Sequence, residues 1–271
     1  MATLDSVFKN VFGEGLAPYG FVKINGRYPY FARLISDEII HIITYRTDWS
    51  GRRGYKAFNI LGGVATVYRQ SVNLTITPKD NLNWLTTVSQ FYAIPNLLEY
   101  DRELCHSIQC FYYKLDDESL NNEIERSFEA ARHFMLPILN RVTNLESCIE
   151  YFRTFNSQLL NIYDSDFENE NPTHYCYEGL LLIKTHNHDD GAERMKRTIE
   201  RTAELMKRKM IGLTQTDFEK ECELLNKVRL EQLTIRNKLF DDPKLYNKVL
   251  GELECRKKAN TEILRSYGLK L

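Results

Sequence analysis

Leu4, Phe8, Val11, Phe12 and Leu16 recur at three- and four-residue steps, the spacing of one helical face, and predict a short amphipathic helix over residues 5–16. Gly13, Gly15, Pro18 and Gly20 then break the pattern. Three runs rich in β-branched and aromatic residues follow: 27–35 (RYPYFARLI), 39–47 (IIHIITYRT) and 55–68 (YKAFNILGGVATVY). The connections Ser36-Asp37-Glu38 and residues 48–54 are short and polar, so these runs predict antiparallel hairpins. Gly62-Gly63 inside the third run predicts a bulge or a close approach by another part of the chain. A fourth strand is expected at 104–114.

Beyond Asp116 the period changes to that of helices and stays there. Ile124, Phe128, Ala131 and Met135 mark a helix over 120–139, with Asp117 or Ser119 as its cap and Pro137 as its kink or end. Thr143-Asn144-Leu145-Glu146 has the spacing of a capping box and leads into a helix carrying Cys148, Ile149, Phe152 and Phe155. After an acidic loop at 164–171, Asn171-Pro172 reads as a helix start, and two helices are expected to flank His186-Asn187-His188-Asp189-Asp190-Gly191. Thr216-x-x-Glu219 can cap a helix over 218–240, and Asp242-Pro243 starts a last one over 244–267, with Leu245, Val249, Leu253 and Leu264 buried and Gly268 as its stop. The expected class is therefore α+β: an N-terminal antiparallel β-sheet packed with helices, followed by an all-helical C-terminal region. Three parts are expected: the sheet with its first helix (1–115), a helical part of the same domain ending in a helical hairpin (116–211), and a helical extension (212–271).

Composition narrows the class without selecting an activity. The chain has 271 residues, of which 43% are hydrophobic and 27% charged, which excludes an intrinsically disordered protein. No apolar run is long enough to predict a transmembrane helix, and the N-terminus lacks the basic start and apolar core of a signal peptide. Six scattered cysteines without a CxxC pair fit free thiols, so a cytoplasmic location is expected. The net charge of −1 hides an asymmetry: residues 1–190 hold 17 Lys/Arg against 24 Asp/Glu, and residues 191–271 hold 19 against 13. A basic tail for an acidic partner would show this pattern, and so would two parts of one chain that attract each other.

Three constellations invite chemistry. In IKTHNHDDG, His186, His188 and Asp189 could offer three ligands to a metal, and a hydrolase using them is one alternative. The flanking caps favour a turn instead, because Asp190-x-x-Glu193 has the geometry of a helix start and His174 and Cys176 lie helical turns away. In Cys105-His106-x-x-x-Cys110, His106 and Cys110 share a face of an extended strand but stand ~13 Å apart, too far for one ion. No metal or other cofactor is expected. The third constellation is Tyr45, Arg46, Trp49, Arg52, Arg53 and Tyr55, where a hairpin mixes arginine forks with aromatic planes. These six residues are the candidate partner-binding set. Their residue types suit a protein partner, and the alternative is a nucleic acid held by Arg46, Arg52, Arg53 and the basic helix 194–209. No GxSxG, GxxxxGK[ST], HExxH or GxGxxG motif is present, so a non-enzymatic protein-binding role is the leading expectation.

Four segments carry a family resemblance: FKNVFGEGLAPYGFVK, IIHIITYRTDWSGRRGYKAFNILGGV, MLPILNRVTNLESCIEYF and GLLLIKTHNHDDGAERM. Their order resembles a bacterial domain of unknown function (family 4304) over roughly residues 1–210. The resemblance implies a strand pair joined across a Trp-containing bend and a final helical hairpin, and it implies no activity. Many members carry a Gln-containing polar strand before the Trp, where this chain has Tyr45-Arg46.

Overall fold

The computed structural model describes residues 2–24, 29–48, 53–69, 86–87, 111–155, 181, 184–185, 239 and 241–270. The expected hairpin around His186–His188, most of the helix at 218–240, the strand segment 104–110 with its Cys-His-Cys group, Trp49 and Arg52 lie outside these residues. The chain divides into two compact units, Met1–Tyr151 with Arg256–Leu271, and Phe152–Cys255. The fold is α+β, as the change of hydrophobic period predicts.

In the first unit, α1 (Leu4–Leu16) starts on a capping box in which Thr3 and Ser6 satisfy each other's backbone N–H groups. Its buried stripe is Val7, Phe8, Phe12 and Leu16; Val11, expected on that stripe, is only half-buried. The sheet follows, with β1 (Val22–Ile24), β2 (Tyr30–Ile35), β3 (Ile39–Asp48), β4 (Tyr55–Thr66), β5 (Thr86–Thr87) and β6 (Phe111–Lys114). All pairings are antiparallel; the order runs β1-β2-β3-β4-β5, and β6 also pairs with β4. β1 escapes the sequence reading because three residues are too few to show a period.

Between β3 and β4 the register is unbroken through Ile42↔Gly63 and Ile43↔Gly62, so the glycine pair makes no bulge. It makes a close approach instead: a Cβ on Gly62 would lie 2.2 Å from the Met135 sulfur. Phe31, Ile43 and Tyr45 share the sheet face under α1, where Phe8 packs on Phe31 and Tyr45 at centroid distances of 5.7 and 4.8 Å. Ile40, Ile42, Thr44 and Leu61 on the other face are also buried, so the centre of the sheet is covered on both sides.

The cap of α2 (Asp117–Ala130) is Asp116, whose carboxylate accepts the Ser119 N–H at 2.6 Å, rather than Asp117 or Ser119. Those two are used elsewhere: Asp117 accepts the Ala2 N–H at 2.8 Å, and the Ser119 hydroxyl accepts the Lys114 N–H at 2.9 Å. A π-helical turn at Ala131–Met135 joins α2 to the short α3 (Leu136–Leu139). Pro137 offers no N–H and crowds the carbonyl four residues back, and the wider turn accommodates both defects. At α4 (Leu145–Phe155) the capping pair is Asn144 and Ser147, one residue later than expected: Ser147 N–H donates to Asn144 Oδ1 at 2.9 Å, and Asn144 N–H to Ser147 Oγ at 3.1 Å.

The last helix, α5 (Pro243–Ser266), starts as predicted on Asp242, which accepts the N–H groups of Lys244 and Leu245 at 2.9 and 3.1 Å, and it stops at Gly268 with φ +85°. In the second unit its Val249 and Leu253 are buried, and Lys184 pairs with Glu254 at 2.9 Å. From Arg256 onward it belongs to the first unit. There Asn260, 3% exposed, donates from one amide nitrogen to the carbonyls of Val67 and Arg69 at 2.7 and 2.8 Å, and Lys257 pairs with Asp37 and Glu38. Asn260→Leu removes both of these buried bonds, so urea unfolding should report a loss of about 2 kcal/mol. A variant as stable as the wild type would show these bonds to be dispensable.

Candidate functional site

The hairpin β3–β4 positions the candidate set, and strand alternation sorts it. Odd positions of β3 face α1, so Tyr45 is 3% exposed, its ring edge-on to Phe8 and its hydroxyl donating to Asp5. Tyr45 is therefore a core residue and leaves the binding set; its burial follows from sharing a parity with Ile43. Arg46, on the opposite face, is exposed and lies 3.8 Å from Asp48 in an ion pair. Asp48 also accepts from Asn59 Nδ2 at 3.0 Å, across the Arg46↔Asn59 register. Arg53 is exposed, Gly54 turns the chain with φ +82°, and Tyr55 is 36% exposed opposite Lys114. Trp49 and Arg52 fall outside the described residues.

Leu115, unnoticed in the sequence, adds to this end of the sheet. It follows Lys114 directly and is 55% exposed, so Tyr55 and Leu115 account for two of the three exposed large hydrophobic side chains among the described residues. Arg53, Lys56 and Lys114 bring positive charge to this end of the sheet, and Asp48 and Asp116 negative charge.

A second constellation, also unforeseen, is buried at the other end of the β2–β3 pairing. Arg33 and His41 face each other in register. The Arg33 guanidinium lies 4.6 Å from the Phe21 ring centroid and is 9% exposed. Its Nε–H and one Nη2–H donate to His41 Nδ1 at 3.1 and 3.0 Å, Nη1 donates to the Tyr19 carbonyl at 2.7 Å, and Nη2 also donates to Asn140 Oδ1. His41 Nε2–H donates to the Val142 carbonyl at 2.9 Å. This pattern requires the neutral ring with its proton on Nε2. Burial, reinforced by the Arg33 charge and opposed by the bond to Val142, pushes the His41 pKa down to about 3. A histidine held this way is neither a general base near neutral pH nor a ligand with a free nitrogen. Only the folded register brings the pair together; in sequence Arg33 and His41 are eight residues apart, and Asn140 is 107 from Arg33.

Among the described residues, no group of three or more His, Cys, Asp and Glu side chains is arranged to hold a metal ion. No helix among them is long and apolar enough to cross a membrane. No family model, no curated protein and no solved structure matches this chain.

Proposed function

We propose that the chain is a cytoplasmic, non-enzymatic binding protein that recognises another protein through the end of the sheet where β3, β4 and β6 meet. The observation that carries this reading is that two exposed hydrophobic side chains, Tyr55 and Leu115, stand at the end of the sheet that also presents Arg46 and Arg53. Apolar anchors within a polar rim are what a protein interface needs at its centre. Arg46 is offset by Asp48, and acidic Asp116 lies beside Leu115, so the surface carries both signs. A polyanion would be better served by a single-sign field, which favours a protein over a nucleic acid.

The test compares wild-type bait with a Tyr55→Ser/Leu115→Ser double variant whose circular dichroism matches it. A partner captured from native cells at low salt should be recovered at least about tenfold less by the variant, as expected when interface anchors are removed. Equal recovery by both baits, or no specific partner for the wild type, would defeat the reading. Binding to single- or double-stranded nucleic acid that weakens steeply with salt would transfer the surface to the alternative partner.

A further inference from the structure

The cation buried at the β2–β3 pairing has an unusual complement. A guanidinium has five N–H donors. Four meet protein acceptors, all of them uncharged: His41 Nδ1 twice, the Tyr19 carbonyl and the Asn140 amide oxygen. The ring beneath it, Phe21, is uncharged too. Among the described residues no carboxylate reaches ion-pair distance of Arg33, although such partners are the rule for buried charges. His41 adds no negative charge, since its neutral ring accepts at Nδ1 and donates at Nε2.

The outer edge of the guanidinium is the part that can change partners. Tyr19 contributes a main-chain carbonyl there, fixed by the fold, whereas the Asn140 acceptor belongs to an exposed residue at the end of α3. The second N–H of Nη1 has no protein acceptor among the described residues. If Asn140 swings away, two of the five N–H groups, one on each terminal nitrogen, are left without a protein acceptor among the described residues, and guanidinium N–H groups are strong donors to an oxyanion. Arg141 follows Asn140 in the chain and is exposed, and Arg132, in the π-helical turn, is paired with Glu129 at 2.5 Å.

We infer that Arg33 is the floor of a binding site for a small oxyanion of the phosphate type, and that the Asn140 amide oxygen occupies the anion's place when none is bound. The inference concerns a different site from the one proposed for a protein partner and stands or falls without it.

Inorganic phosphate is the probe, titrated into the intact chain against potassium chloride at matched ionic strength, with thermal unfolding and phosphorus NMR linewidth as readouts. Saturable stabilisation is expected, reaching about a tenfold gain in the folding equilibrium at ten times the dissociation constant. Salting-out by phosphate would instead grow without saturating. Arg33→Gln should abolish the saturable response. Asn140→Ala should be less stable than wild type in chloride and bind phosphate several-fold more tightly, because the competing acceptor is gone. A merely structural Asn140 would weaken the fold without sharpening the response. A wild type without saturation, a folded Arg33→Gln that retains it, or an Asn140→Ala no tighter than wild type would each overturn the site. Should Arg33→Gln fail to fold, the Asn140→Ala comparison decides alone.

Discussion

Acidification from pH 7 to pH 4 should strip several kcal/mol from the wild type that a His41→Gln variant does not lose. The His41 pKa is about 3 in the folded chain and near 6.5 in the unfolded one. The unfolded state therefore takes up a proton below pH 6.5 while the folded state stays neutral. The contribution is fully present above pH 6.5, falls by about 1.4 kcal/mol for each pH unit below it, and is exhausted near pH 3, a total of roughly 5 kcal/mol. Glutamine can still accept from Arg33 through its oxygen and donate to the Val142 carbonyl through its nitrogen, but it does not titrate. Urea unfolding of both proteins at pH 7, 5 and 4 isolates the histidine, because the remaining groups titrate alike in each. A stability difference that stays constant over this range would mean that the imidazole is protonated, or accessible, in the native state.

Replacing Gly62 by valine should cost about 3 kcal/mol, against the direction that strand propensity suggests. Valine fits a pleated strand better than glycine in general. Here the first carbon of its side chain would meet the Met135 sulfur at 2.2 Å and the Met135 methyl at 2.8 Å. Methionine is flexible, but Met135 is fully buried and has little room to swing. Met135→Ala, destabilising alone by a cavity of its own, should absorb the added bulk, so that the double variant costs at least about 1 kcal/mol less than the two singles together. Strict additivity in chemical denaturation would show that the two side chains do not compete for one space.

Much of this fold could be read from the chain where a local rule was sufficient. The period of Phe8, Phe12 and Leu16 named α1, the β-branched runs named β2 to β4, and Asp242-Pro243 located the start of α5 within a residue. Caps were harder where several polar residues competed: Asp116, Asp117 and Ser119 are alike in chemistry, and their distribution among three donors depends on where the N-terminus and β6 lie. Tyr45 shows a different limit. Its arginine neighbour suggests a recognition surface, yet β3 carries isoleucines at both parities between Ile39 and Ile43, so its neighbours are no guide to exposure. The exposed pair Tyr55 and Leu115, and the polar centre at Arg33, arise from strand register and from contacts across more than a hundred residues, which no window along the sequence contains.

Asn260 and Lys257 reach back to the turn after β4 and to the bend between β2 and β3, 193 and 220 residues earlier in the chain. During synthesis the sheet is therefore made long before its final fastening leaves the ribosome, and everything from Phe152 to Cys255 must emerge in between. For the length of that interval the N-terminal strands lack the bonds that Lys257 and Asn260 supply. Completion of the first unit is timed by the emergence of α5, which carries Lys257 and Asn260.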